Sequence, residues 1–530
     1  MCGIFAYFGD KPSQEIKQHF LAIQHRGPDS TNFQEITPQL RFGFHRLAIN
    51  GLDKISDQPM RLGKNILICN GEIYNFKKLR DTYGFDYKSN SDCEIILHLY
   101  KHYGFPNFLS LLDGVFTIIL YDGELDEVFI ARDRYGVRQL FLSTDPDDPE
   151  TFGIASEAKA LLFHPIIDQV KPGTWARSKE RIFKPWFELK FPKMVGMSEA
   201  TILATIRDKF RAGVKKRTMS DRRIGALLSG GVDSSLIAGM LVKFYNDPRD
   251  LETFSIGLEG SPDLYYAKKV ADFLGTTHHS VVSTEKEFLA AIEPVIYMLG
   301  TFDVTTIRAS VGQWLLCQYI KRHSDVKVIF SGEYADEQNL SYLYGMNAPS
   351  AEEFQEESLR LLEYIGYFDN LRADHSISNA GLEARVPFAD KDFMYYMMSL
   401  DPKLKMFDNN GKMEKYLLRK AFDEENLIPK EVLWRRKNGF SDSVSIKTRS
   451  WSVIIQEYVD TQVTDEEYMM NKDKYKHCPP RTKEAYYFRK IYAKYYPSEQ
   501  YHLTPFQWLP KWCGDVVDPS ARNLNIYQAD

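Results

Sequence analysis

Two stretches of this 530-residue chain place side chains in patterns that could do chemistry. The first is the opening, Met1-Cys2-Gly3. If Met1 is removed, Cys2 carries both a thiol and a free α-amino group. The ordinary pKa of that amine, about 7.7–8.0, lets it act as base for its own thiol, with no separate histidine. The second stretch is Ser229-Gly230-Gly231-Val232-Asp233-Ser234-Ser235, directly after the apolar run ending at Leu228. Glycines let a backbone approach an anion closely, and a helix N-terminus aims free N–H groups at it. Ser229, Ser234 and Ser235 add hydroxyl donors. A dinucleotide fingerprint would need G-x-G-x-x-G and a Walker A loop its lysine, and neither is present. Asp233 is then the informative oddity, because a carboxylate among phosphates is repulsive unless a cation such as Mg²⁺ lies between them. The plainer alternative is an ordinary strand-to-helix turn, where Gly, Ser and Asp are favoured as caps.

Other chemistries are excluded or weakly signalled. The six cysteines (Cys2, Cys69, Cys93, Cys317, Cys478, Cys513) form no C-x-x-C pair and read as reduced thiols of a cytoplasmic protein. His278 and His279 are adjacent, which does not put two metal ligands on one helix face. A net charge of -5 argues against general nucleic-acid binding. No run approaches the roughly 18 apolar residues of a membrane span. The apolar N-terminal stretch ends at Asp10 and Lys11 with no basic segment before it, so it is not read as a signal peptide.

The elements that must position these residues fall into two regions. Up to about residue 190 short apolar runs such as "IFAYF", "NILICNGEI" and "GVFTIILYD" follow one another between Gly, Asn and Asp turns. Only two helices are expected among them, near Gln14–Gln24 and Asp92–Tyr103, so the sheets should be antiparallel. "KFPKMVGMSEA" reads as a linker. From about residue 200 to the end, helices alternate with the strands "IGALL", "ETFSIGL", "HHSVV" and "VKVIF", which implies a parallel sheet covered on both faces. After about Ala351 the reading is almost wholly helical. The last thirty-odd residues are weakly patterned and read as a surface tail.

Several further stretches carry a resemblance. "SGGVDSS", "FDVTTIRAS" (Phe302–Ser310), "GLEARVPFAD" (Gly381–Asp390), "NGKMEKYLLR" (Asn410–Arg419), "TKEAYYFRKIY" (Thr482–Tyr492) and "DPSAR" (Asp518–Arg522) recur in one order. In them the chain resembles, nearly end to end, the glutamine-hydrolysing asparagine synthetases, most of all the bacterial B-type form. The resemblance implies an α/β protein with an N-terminal four-layer αββα sandwich, residues 1–190, as glutaminase. A doubly wound parallel sheet followed by helices, residues 200–530, would be the ATP-pyrophosphatase-type synthetase.

That resemblance also implies site residues. Cys2 would attack glutamine, with Asn70 and Gly71 of "NGEIYN" as oxyanion hole. Arg46, Leu47, Ala48, Ile49, Asn50, Glu72 and Asp92 would complete the glutamine pocket, Arg46 taking the substrate carboxylate and Asp92 its α-ammonium. Leu227, Ser229, Gly230, Gly231, Asp233, Ser234, Ser235, Ile256, Ser331, Gly332 and Lys437 would contact ATP. Asp233 and Asp336 would hold Mg²⁺, Glu333 would assist the aspartyl-AMP step, and Thr305, Thr306 and Arg308 would sit by aspartate. A homodimer is also implied.

The sequence departs from the family pattern in three places. The expected S-G-E-G-S-D-E reads Ser331-Gly332-Glu333-Tyr334-Ala335-Asp336-Glu337, with tyrosine where glycine is usual. If that position needs φ > 0, the cost is on the order of 1–3 kcal/mol. Asn438-Gly439, Ser443 and Ser445 depart from the usual loop after Lys437, and Arg134 stands in "ARDRYG" where proline is common. These departures keep two alternatives in view: an amidotransferase for another carboxylate, and a binding or regulatory homologue with an impaired synthetase site.

Overall fold

The computed structural model describes residues 1–408, 411–437, 439, 443–446, 448–498 and 501–524. The first strand, Gly3–Phe8, shows how the N-terminal half is layered. Successive side chains of a strand point to opposite faces. Ile4 and Ala6 therefore pack with Phe42 and Phe44 of their own sheet against Ile66, Ile68, Ile119 and Ile130 of a second sheet. Phe5 and Tyr7, on the other face, pack with Ile16 and Phe20 of the helix Ser13–Leu21. The second sheet repeats the logic: Leu67 and Cys69 pack outward with Ile96 and Tyr100 of the helix Glu94–Tyr103. Helix, sheet, sheet and helix make the expected four-layer sandwich.

The first sheet has seven strands and the second six, antiparallel but for one pair. That pair corrects the reading of the chain's end as a surface tail. Tyr501 and His502 run parallel to Ile167 and Asp168, so the C-terminal segment completes the edge of the N-terminal sheet. A third helix, Phe76–Tyr83, was also not expected.

The second half is built on a five-stranded parallel sheet in the order Thr277–Ser283, Glu252–Leu258, Ile224–Leu227, Val328–Phe330, Glu383–Arg385. The fifth strand was not foreseen; it lies in the stretch read as helical. The chain builds outward from Ile224–Leu227 in one direction, then returns to its other side with Val328–Phe330. Such a topological switch opens a crevice beyond the carboxyl ends of the two central strands, where ligands bind in doubly wound sheets.

The halves share a core. Leu47, Ile49, Val115, Tyr135 and Val137 of the sandwich belong to one buried apolar cluster with Val386, Tyr334 and Ala335 of the parallel-sheet half. Across the same boundary Arg26, fully buried, donates to Cys2 O, to Glu157 and, at 2.8 Å, to Asp374.

Candidate functional site

Two sites lie on this frame. At the first, the Leu47 N–H points at the Cys2 sulfur (3.4 Å), and the thiol lies 3.6 Å from the Leu47 carbonyl. Met1 is buried, its amine donating to Leu382 O at 2.8 Å. Burial pushes that amine down to about 5 and the Cys2 thiol up to about 11. That amine belongs to Met1; were Met1 removed, the base beside the thiol would be the Cys2 amine so freed.

Asn70 and Gly71 follow on the strand Asn65–Ile73. Asn70 Nδ2 is buried with no partner among the described residues, an orphan donor of the kind an oxyanion would satisfy. Gly71 cannot be larger, because a Cβ there would lie 2.4 Å from Val115 O. Asp92 is buried, accepts from Ile73 N at 2.6 Å, and is raised to about 6 by burial. A bound ammonium group would return it to the charged form.

Two expected pocket residues have other partners. The Arg46 terminal nitrogens donate to Gly51 O, Asp53 O and Asp57, so the side chain clamps the loop after it. Leu47, Ala48 and Ile49 are buried in that loop. Glu72 accepts from Asn50 Nδ2, but also lies 3.2 Å from Arg385 of the second half. Burial raises its carboxyl well above the usual range, against the pull of Arg385.

The second site is the crevice at the sheet's switch point, a cavity of about 240 Å³. Leu227, Ser229, Gly231, Asp233, Ser234, Ile256, Thr305, Ser331, Gly332, Glu333, Asp336 and Lys437 all line it, as expected. Gly230 and Ser235 do not. Gly230 takes φ +72°, and a Cβ there would lie 2.5 Å from Tyr266, so it shapes the turn. Ser235 lies buried behind it. The helix Val232–Val242 starts at Gly231 with no side-chain cap, leaving its first N–H groups to the cavity.

Thr306 and Arg308 do not line the crevice. Thr306 Oγ1 donates to Asp303, the cap of its own helix. Arg308 is buried in bidentate pairs with Glu484 and with Asp518 of the C-terminal segment, away from the cavity. Of the expected aspartate trio only Thr305 faces the cavity, its hydroxyl buried and unpartnered among the described residues.

Among the cations that line the crevice, Arg372 was not singled out in the sequence. Its guanidinium donates to Gln313 at 3.0 Å and Asp369 at 2.9 Å, with Nε buried and unpartnered among the described residues. It lies 3.6 Å from Glu333, whose Oε2 is likewise unpartnered. Lys415 was missed too, although it falls inside the quoted "NGKMEKYLLR". Its buried ammonium reaches both Asp233 and Asp336, and Lys437 meets Asp336 from the other side. Burial alone would raise the Asp336 carboxyl, but the two lysines hold it well below the usual range.

The departures are accommodated. Tyr334 takes φ +73°, in the left-handed region expected of that position, and is buried. Arg134 lies over the rings of Trp186 and Phe187 (5.1 and 5.3 Å) and donates to Ser110 O. Ser445 Oγ accepts from Trp451 N at 2.8 Å. Asn438 lies outside the described residues.

A nucleophile-bearing sandwich joined to a nucleotide-type crevice is the build of an amidotransferase fused to a synthetase. Residues 1–182 match the family model described as glutamine amidotransferase domain, and residues 205–350 and 338–512 match asparagine synthase. The chain is 42% identical to a glutamine-hydrolyzing asparagine synthetase of Gallus gallus, covering all of this chain and 99% of that one. It is 41% identical, with the same coverage, to the Homo sapiens protein of that name. The chain therefore belongs to the glutamine-hydrolysing asparagine synthetase family. Among solved structures, the chain is similar to a glutamine phosphoribosylpyrophosphate amidotransferase from B. subtilis over 44% of this chain and 62% of that one, at 17% identity and TM-score 0.31.

Proposed function

We propose that this protein converts aspartate to asparagine with ATP, taking the nitrogen from glutamine. Glutamine hydrolysis at residues 1–190 gives glutamate and ammonia. At residues 200–530 the aspartate β-carboxylate attacks the ATP α-phosphate, releasing pyrophosphate and forming β-aspartyl-AMP. Ammonia then displaces AMP. Once Met1 is removed, the Cys2 amine takes the thiol proton and the thiolate attacks the glutamine carboxamide. Asn70 Nδ2 and the Gly71 N–H receive the negative charge that forms on the oxygen. Water then cleaves the thioester.

In the crevice the helix start at Gly231, Ser229 and Ser234 receive phosphates, and Lys437 steadies the leaving pyrophosphate. Arg372, Thr305 and Gln313 supply the donors that a dicarboxylate substrate needs. Glu333, with a free carboxylate oxygen, is placed to take a proton from the attacking nitrogen. Asp233 Oδ1 is a buried acceptor without a partner among the described residues, while Asp336 is held by Lys415 and Lys437; together with substrate phosphate oxygens these two carboxylates would hold Mg²⁺. Bound there, Mg²⁺ would offset pyrophosphate charge. The protein is proposed to be cytoplasmic and a homodimer; no single helix among the described residues is long and apolar enough to cross a membrane.

The observation that carries the reading is the orphan donor Asn70 Nδ2 in the half that bears Cys2, in a chain whose other half holds the Asp233–Asp336 pair. The test is aspartate-dependent pyrophosphate release with glutamine or ammonia. Release that does not require aspartate, release with other carboxylic acids at comparable rates, or no asparagine formed when glutamine or ammonia is supplied, would overturn it.

A further inference from the structure

Tyr334 replaces the glycine usual in this loop, yet the backbone keeps the glycine-like conformation at φ +73°. A non-glycine held there is strained, and such strain persists where the surroundings over-determine it. What determines it lies in the other half of the molecule. The ring is fully buried, and the phenol donates to Tyr135 O at 3.0 Å. Tyr135 is itself fixed: its amide donates to Asp133, and its ring meets Phe187 edge-on at 5.6 Å.

Tyr334 sits between Glu333, which lines the crevice, and Ala335-Asp336, so its side chain ties the catalytic loop to the glutaminase half. It also occupies the apolar cluster that includes Leu47, Val115, Val137 and Val386, against which Cys2 packs. A neutral ammonia molecule leaving Cys2 keeps its nucleophilicity in apolar surroundings and loses it by protonation in water.

We propose that Tyr334 is a positioning residue that latches the loop Ser331–Asp336 to Tyr135 and closes the apolar seam between the two sites, so that ammonia made at Cys2 is used rather than lost. The inference rests on the two-site reading above. The phenol supplies no proton and touches no substrate, so its loss should weaken the glutamine-supplied reaction, which needs the closed seam, more than the ammonia-supplied one, which needs only the loop.

The test compares wild type, Tyr334→Phe and Tyr334→Gly, measuring glutamate and asparagine formed with glutamine, and asparagine formed with saturating ammonia. Wild type should form about one glutamate per asparagine. Tyr334→Phe, which keeps the ring and loses only the hydroxyl, should form two or more, with glutaminase turnover within twofold of wild type. Tyr334→Gly relieves the strained backbone but empties a fully buried site, so it should both melt lower and uncouple more than Tyr334→Phe. Both variants should lose less ammonia-supplied than glutamine-supplied synthesis. A proportional fall of all three activities, with the ratio unmoved, would reduce Tyr334 to ordinary packing and overturn the inference. No glutamine-supplied asparagine from wild type would instead sink the two-site reading.

Discussion

The Lys415 ammonium lies 2.6 Å from Asp336 and also reaches Asp233, bridging the two carboxylates of the nucleotide crevice. A buried cation thus stands between two acids that would otherwise repel each other. Removing one partner of such an arrangement typically costs about 3–5 kcal/mol. Lys415→Met should therefore lower the melting temperature, and Mg²⁺ alone should raise it more in the variant than in wild type. Thermal melts with and without Mg²⁺ check this; an equal Mg²⁺ shift in both proteins would exclude the carboxylate pair as its site.

Cys2→Ala should abolish glutamine-supplied synthesis while leaving ammonia-supplied synthesis within about twofold. Asn70→Ala should lower glutaminase turnover about 10²–10³-fold, the usual cost of one oxyanion donor. Retained Met1 should be as damaging as Cys2→Ala, and mass spectrometry of the N-terminus against activity decides it.

Arg308 and Arg372 should separate cleanly. Arg308→Met strands Glu484 and Asp518, so its principal effect should be lost stability, with the aspartate KM of the folded fraction changed less than about threefold. Arg372→Gln should raise that KM about tenfold or more, as losing a charged hydrogen-bond donor of about 1.5–3 kcal/mol implies. Aspartate titrations of both variants distinguish the assignment made here from the reverse.

Lys405 is buried with only neutral partners among the described residues, Gln338 O at 2.9 Å one of them, and burial lowers its ammonium to about 7. The unfolded chain holds that proton up to about 10.4. Between the two values the unfolded state binds more protons, so this group's contribution to stability rises as pH climbs from about 7 to 10. Lys405→Met should be more stable than wild type at pH 6–7, and the difference should shrink as pH rises. A pH-independent difference in denaturant midpoints would show that the lysine is not the titrating group.

What the sequence made legible follows how locally each feature is encoded. The strand alternation of Gly3–Phe8, the Ser229–Ser235 turn and the positive φ at Tyr334 all depend on a few consecutive residues. Arg308 misled because its motif faces the crevice only in part: Thr305 looks in, while Arg308, one helical turn on, looks toward Glu484 and a segment 210 residues away. Arg372 and Lys415 become visible only when separate elements converge on the switch point. The edge strand at Tyr501 is too short to announce itself by pattern.

Arg26 has a consequence for how such a protein can be inherited. Its guanidinium, sealed from water, is shared between Glu157 of one half and Asp374 of the other, while its Nε holds the Cys2 carbonyl. Cutting the gene between residues 190 and 200 would expose a charge evolved for the interior on one product and its counter-charge on the other. The halves could be exchanged with those of a relative only if the acid at 374 travelled with the new partner. The hidden ion pair therefore adds a non-covalent tie between the two halves to the peptide bond that already joins them.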